Sequence, residues 1–274
     1  MHIALDELRS LYAETIEEYN VSPLAVEEHW VAEPSEAKFT ELTECVKYLP
    51  SRQSTFLDVG TGMGIAPRFF KKLGCQTVTV DNPVTGGNGL RNAMAAGIKG
   101  VPCDIVNNPL PLADDSIDCI LFADVIEHLL HSPKFPLSEF RRVLRSGGVC
   151  VATTPNAMRL SVRLRVLLGY SNWPHIGDFF DLPHHGGHHH EYTIAEFTSV
   201  FKMSNFEVVN FVLDGSVAYI KISSLADLQS KCRSGAGAAT RTHPLISIAK
   251  IPIYLLERAF PTLRPQMLLV ARKT

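Results

Sequence analysis

The stretch FLDVGTGMGIAP, residues 56–67, decides the fold. A short apolar run passes through an acid, Asp58, and opens into three glycines two apart, Gly60, Gly62 and Gly64. This pattern reads as a strand whose exit is a tight turn into a helix, and Ile65–Leu73 continues with helical spacing. Glycine is required where backbone must approach a ligand closely, and the first N–H groups of a helix are there to meet it. Dinucleotide-binding turns space their glycines as GxGxxG, whereas this one is GxGxG. Alone, such a turn also serves as a plain strand-to-helix joint, so its surroundings carry the reading.

Working outward, β-branched runs alternate with helical patterns. The strand candidates are Thr55–Gly60, Gln76–Asp81, Ile98–Cys103, Asp118–Ala123 and Val149–Thr154. Ile65–Leu73, Leu90–Ala96 and Pro136–Leu144 read as the helices between them. That order predicts βαβ units and a parallel sheet. Thr193–Met203 then reads as a helix, with Phe206–Leu213 and Gln266–Arg272 as further strands. Residues 1–50 form an N-terminal helical segment, and 51–274 the main domain. Two stretches interrupt the alternation, 156–192, read as a lid, and 214–264, read as a helical extension; Ser234–Thr240 is the most linker-like piece.

The acids fall where ligands bind in such sheets, at the carboxyl ends of the strands. Asp81 closes the second strand, suited to a ribose diol. Cys103, Asp104 and Ile105 follow the third, an acid flanked by apolar residues that suits an adenine edge and its faces. CILFADVIEHL carries the fourth strand into Ala123, Asp124, Glu127 and His128, near which a helix is expected to start.

At 274 residues and 46% hydrophobic, the chain has material for a large buried core. A net charge of -2 argues against a dedicated nucleic-acid binder. Six cysteines without a CxxC pair, several in strand-like runs, read as reduced buried thiols and a cytoplasmic setting. The first residues lack the basic-then-apolar pattern of a signal peptide, and no apolar run is long enough to span a bilayer.

Together DVGTGMG, Asp81, the Cys103–Asp104 pair, LPLADDSIDCILFADVIEHL and RRVLRSGGVCVATTPN resemble the class I S-adenosylmethionine-dependent methyltransferases, nearest in kind to O-methyltransferases of quinone and glycan biosynthesis. The resemblance covers roughly residues 54–156 and, more loosely, 190–213 and 266–274. It implies a Rossmann-like seven-stranded, mostly parallel α/β sheet with helices on both faces and S-adenosylmethionine as cofactor. Gly60, Gly62 and Gly64 would then pass under the methionine and ribose, with Asp58 at the amino end. Asp81, with Asn82 beside it, would take the ribose hydroxyls and Asp104 the adenine amine, while Ala123 and Asp124 line the methionine. Residues 82–89, with Pro83 and three glycines, depart from the family, where a helix begins sooner.

Methyl transfer to a hydroxyl needs a base, and histidine suits neutral pH. His128 and the loop HHGGHHHEYT, residues 184–193, compete for that role, with His188 and His190 the loop members of interest. Related sugar and quinone enzymes carry a similar GHxxEYT-like run, which marks His188, Glu191 and Tyr192. The histidine spacing matches no closed tetrahedral site and no cysteine accompanies it, so no metal is expected. In residues 156–168, Asn156 can cap a helix with Leu160, Leu164, Leu167 and Leu168 on one face and Arg159, Arg163 and Arg165 off it, while the period-two alternation of the middle leaves a strand open. That stretch and Leu245–Phe260 are read as packing on the core or touching an anionic lipid surface peripherally. The expected acceptor is a small molecule, glycan or lipid-linked intermediate. The alternatives are a binding module without catalysis, an N- or C-methyltransferase, and a nicotinamide oxidoreductase. The last is disfavoured by the glycine spacing.

Overall fold

The computed structural model describes residues 3–23, 25, 31–84, 88–170, 187–214 and 255–274. Its strands are β1 Thr55–Val59, β2 Gln76–Asp81, β3 Lys99–Pro102, β4 Ile117–Ala123, β5 Leu144–Pro155, β6 Phe206–Asp214 and β7 Gln266–Lys273. They form one sheet in the order β3-β2-β1-β4-β5-β7-β6. All pairs are parallel except those of β7, which runs antiparallel to β5 and to β6. The chain leaves β1 outward to β2 and β3, then returns to lay β4 on β1's other side. That reversal opens a crevice at the strand ends, where an open α/β sheet receives its ligand.

Helices α1 Leu5–Asn20, α2 Glu36–Tyr48 and α3 Ile65–Leu73 cover one face. Helices α5 Lys134–Val143 and α7 Ile194–Met203 cover the other, and α4 Gly89–Ala95 packs by β2 and β3. Period-two alternation divides each strand between these cores: Met267, Leu269 and Ala271 of β7 face one, Leu268 and Val270 the other. Phe56 stacks on Phe70 with ring centroids 3.6 Å apart, and Phe122 meets Phe140 edge-on at 4.9 Å. Each such buried side chain contributes about 1.5–3 kcal/mol. Caps set the helix ends: Ser35 accepts from the Lys38 N–H, and Thr193 and Glu196 close a capping box on α7. Cys45, Cys75, Cys103, Cys119 and Cys150 are buried free thiols.

Two expectations need correction. Asn156 does not cap a helix over 156–168; helix α6 begins at Leu160 and runs to Leu167. The Asn156 amide instead donates to the Thr262 and Arg264 carbonyls, and its oxygen closes a turn on the Met158 N–H. Nor is the leucine stripe a core face, since Leu160 and Val162 are buried but Leu164, Leu167 and Leu168 are exposed. The helix expected near Asp124 is a 3₁₀ turn, Ile126–His128, because Asp124 has φ of +53° and breaks the helical path. Residues 171–186 and 215–254 lie outside the described residues. With them go His184 and His185, Ser234–Thr240 and most of Leu245–Phe260. Among the described residues no helix is long and apolar enough to cross a membrane.

Candidate active site

A cavity of about 1290 Å³ opens at the carboxyl ends of β1, β2 and β4, beneath α1 and α2. Its walls include Asp58, Gly60, Gly62, Asp81, Asn82, Cys103, Asp104, Ile105, Ala123, Asp124 and His128, which the sequence marks for one site. Gly64 does not line it; with φ of +77° it forms the left-handed cap that starts α3. Gly60 has φ of +83°, and a Cβ there would collide with a Val125 methyl. The turn after β1 therefore leans directly on the turn after β4, and only glycine permits it.

Asp58 is buried and accepts from Thr79 Oγ1 at 3.1 Å. Burial pushes its carboxyl up to about 7, with the nearby Lys38 ammonium opposing. Asp81 binds the glycine turn itself: Oδ2 accepts from the Thr61 N–H at 2.9 Å and Oδ1 from the Asn82 N–H at 2.8 Å. Burial raises its carboxyl as well, against those bonds. Asp104 accepts from the Val106 N–H at 3.1 Å and from Asn107 Nδ2 at 2.7 Å. Asp124 accepts from Gln266 Nε2 at 2.5 Å.

Sequence reading missed Lys38, which enters the cavity wall from α2 and pairs with Glu41. Burial would lower its ammonium, yet Glu41, Asp124 and Asp58 more than offset this and hold it above the ordinary range. The available signal was a helix that buries Glu41 and Glu44 beside Phe39 and Leu42. Buried acids on an apolar face call for a cation.

At the mouth, the 3₁₀ turn presents Glu127 and His128. Glu127 is fully buried; Oε2 accepts from Thr154 Oγ1 at 2.9 Å, whereas Oε1 has no hydrogen-bond partner among the described residues. Burial, with Asp124 adding to it, pushes this carboxyl up to about 8. The Glu127 carbonyl receives the His189 N–H at 2.7 Å, which docks the histidine loop. His128 Nδ1 bonds the Gly187 carbonyl at 3.1 Å, and its ring packs edge-on against His188 at 4.9 Å. His188 Nδ1 bonds Glu191 Oε1 at 2.7 Å, and Arg159 grips Glu191 with two bonds of 2.6 and 3.0 Å. His188 therefore stands behind His128 rather than on the cavity wall. His190 packs on the Tyr192 ring at 4.6 Å, and among the described loop histidines it is His189 that lines the cavity. Tyr192 is buried and bridges to Asn156.

Glycine turn, switch-point crevice, strand-end acids and terminal antiparallel strand together define a class I S-adenosylmethionine-dependent methyltransferase. A family model described as a methyltransferase domain matches residues 31–210, and the chain belongs to that family. A protein of Mycolicibacterium smegmatis described as a probable S-adenosylmethionine-dependent methyltransferase is 35% identical over 99 residues, a match spanning 36% of this chain and 32% of that protein. An S-adenosylmethionine-dependent methyltransferase from Archaeoglobus fulgidus superposes with a TM-score of 0.56 at 16% identity, covering 92% of this chain and all of that one. One from Mesorhizobium loti gives 0.56 at 16% identity, covering 86% and 97%. At these identities the structural likeness is one of fold.

Proposed function

We propose that this protein transfers a methyl group from S-adenosylmethionine to an oxygen of a small-molecule, glycan or lipid-linked acceptor, with His128 as the base. A nucleoside joined to a zwitterionic amino acid asks for a diol acceptor, an anion and a cation. The cavity offers Asp81 for the first, Asp58 and Asp124 for the second and Lys38 for the third. Asp104 lies beyond Asp81 at the adenine end, and Gly60 and Gly62 let the backbone approach between them. The bound cofactor supplies an electrophilic methyl on a sulfonium; the protein's part is to hold an acceptor in line with it and exclude water.

The observation that carries the reading is the setting of His128. It lines the cavity at the end of β4, and its Nδ1 faces a carbonyl, which can only accept. The proton therefore sits on Nδ1 and the lone pair on Nε2, the tautomer a base requires. His188, held by Glu191, supports this ring from behind, and His190 has no part in it. His128→Ala should lower turnover about 10²–10⁴-fold with cofactor affinity nearly intact. The assay is formation of S-adenosylhomocysteine with a panel of phenols, quinols and glycosides. If His128→Ala and the combined His188→Ala, His190→Ala change both leave turnover unaltered, positioning alone drives transfer and the base assignment fails.

A further inference from the structure

We infer that Glu127, His128 and His188 together bind a divalent first-row transition cation of the zinc type at the mouth of the cavity. Among the described residues this is the one group of three potential ligands whose donor atoms all lie within 4.8 Å of one another. Two of the three are adjacent in sequence and the third comes from the docked loop, which is why histidine spacing within the loop gave no sign of it.

Three observations carry the inference. First, Glu127 Oε1 is buried with no hydrogen-bond partner among the described residues, while its sister oxygen is held by Thr154. A buried carboxylate oxygen without a donor is costly, and a cation removes that cost. Secondly, both imidazoles are fixed at Nδ1, His128 by the Gly187 carbonyl and His188 by Glu191. Each then carries its lone pair on Nε2, and His188 Nε2 lies 4.0 Å from Glu127 Oε1. Thirdly, the support continues outward, because Arg159 holds Glu191 through both of its oxygens. Histidines that ligate metals ordinarily donate their other N–H to a carboxylate or carbonyl in this manner.

The geometry is close to what an ion needs. Tetrahedral binding at about 2.0–2.1 Å places donor atoms roughly 3.3 Å apart, so Glu127 Oε1 and His188 Nε2, at 4.0 Å, must close by roughly 0.7 Å, and the widest pair, within 4.8 Å, by up to roughly 1.5 Å. The His188 side chain is 35% exposed and has room for that rotation. Two imidazoles and one carboxylate suit zinc or cobalt and disfavour magnesium and calcium, which prefer all-oxygen shells. Among the described residues three ligands are at hand, one short of a closed tetrahedral shell.

Binding of the cation stands apart from the acceptor chemistry, but its consequence rests on the reading above. His128 Nε2 serves one role at a time: with the site empty it is the base, and with the site filled it would hold the ion, while an acceptor hydroxyl reaching that ion would lose its proton to water.

The test uses the full chain stripped with a chelator, titrated with Zn²⁺ by calorimetry and with Co²⁺ by visible absorption. One equivalent should bind, and Co²⁺ should show the bands of a low-symmetry nitrogen and oxygen site. Glu127→Gln and His188→Ala should each weaken binding at least tenfold, and Glu191→Gln about 10- to 100-fold. His189→Ala and His190→Ala should leave it unchanged, and cofactor affinity confirms that each variant is folded. If Glu127→Gln misfolds, the more exposed His188→Ala and the cobalt spectrum carry the decision. Unchanged affinity in His188→Ala overturns the inference, as does binding abolished by His184→Ala and His185→Ala alone. The two proposals fail separately: the base is judged on turnover of His128→Ala measured with the chelator-stripped protein, the cation site on the cobalt spectrum of His188→Ala.

Discussion

Replacing Asp81 with alanine probes both the cofactor and the turn that receives it. In the structure its carboxylate accepts from the Thr61 and Asn82 N–H groups, so the side chain supports the glycine turn before any ligand arrives. Thr61 is buried, and its orphaned N–H should cost about 1–3 kcal/mol in the ligand-free protein. A ribose diol hydrogen-bonded to the carboxylate adds about 1.5–3 kcal/mol to binding, so Asp81→Ala should weaken S-adenosylmethionine roughly 10- to 150-fold. Asp81→Asn separates the two effects, because its amide oxygen keeps one acceptor for the turn while the charge is lost. Calorimetric titration with S-adenosylhomocysteine and with its 2′-deoxy analogue completes the cycle. The missing hydroxyl should weaken binding to the native protein but make little difference to Asp81→Ala. An equal loss in both proteins would show that Asp81 serves the turn alone, and the ribose assignment would fall.

Asp58 bears on pH. Its folded carboxyl titrates near 7, above the ordinary value of about 3.9, so the folded chain keeps a proton that the unfolded chain releases. The associated stability is complete below about pH 4 and declines as pH rises to 7. Asp58→Asn should flatten part of that decline in calorimetric scans; an unaltered slope contradicts the assignment. Gly60→Ala should cost about 1–2 kcal/mol for its positive φ, plus the displacement of Val125, and lower the melting temperature by at least ~3 °C. Adding Val125→Ala should recover the second share, and simple additivity of the two losses would count against the contact. Exposed Leu167 and Leu168, beside exposed Arg163 and Arg165, predict flotation with anionic vesicles at low salt. Protein that stays in the soluble fraction, or floats equally as Leu167→Asp with Leu168→Asp, excludes that contact.

The sheet was legible because its signal is local and repeated. Gln76–Asp81 and Ile65–Leu73 match their predicted bounds, since each is an apolar run bounded by glycine or a strand-end acid. Strand β5 starts earlier than Val149, at Leu144: Gly147 and Gly148 carry no strand preference, and tertiary pairing of Leu144 with Ile117 overrides that. Asp58, Asp81 and Asp104 announce themselves by standing at strand ends. Lys38 does not, because what brings it to the cavity is the packing of α2 on β4 and β5, a long-range fact. The same holds for the histidines. Spacing along 184–193 cannot reveal that His188 rests on His128, since Glu127's carbonyl sets where that loop docks.

Strand β7 reaches further than its place near the sheet edge implies. Gln266, its first residue, holds Asp124. The residues just before it, Thr262, Arg264 and Pro265, hold Asn156, whose neighbour Ala157 in turn bonds the Tyr192 carbonyl. Both ends of the crevice are thus fastened by one short stretch, residues 262–266, whose hydrogen bonds with Asn156 and Asp124 reach across 106 to 142 positions of the chain. The pairing among strands β1 to β5 does not involve these residues, yet without them neither Asp124 nor the junction of Asn156 with Tyr192 has its anchor. The placing of Asp124 is therefore tied to the seating of β7, and not only to the strands that carry the glycine turn.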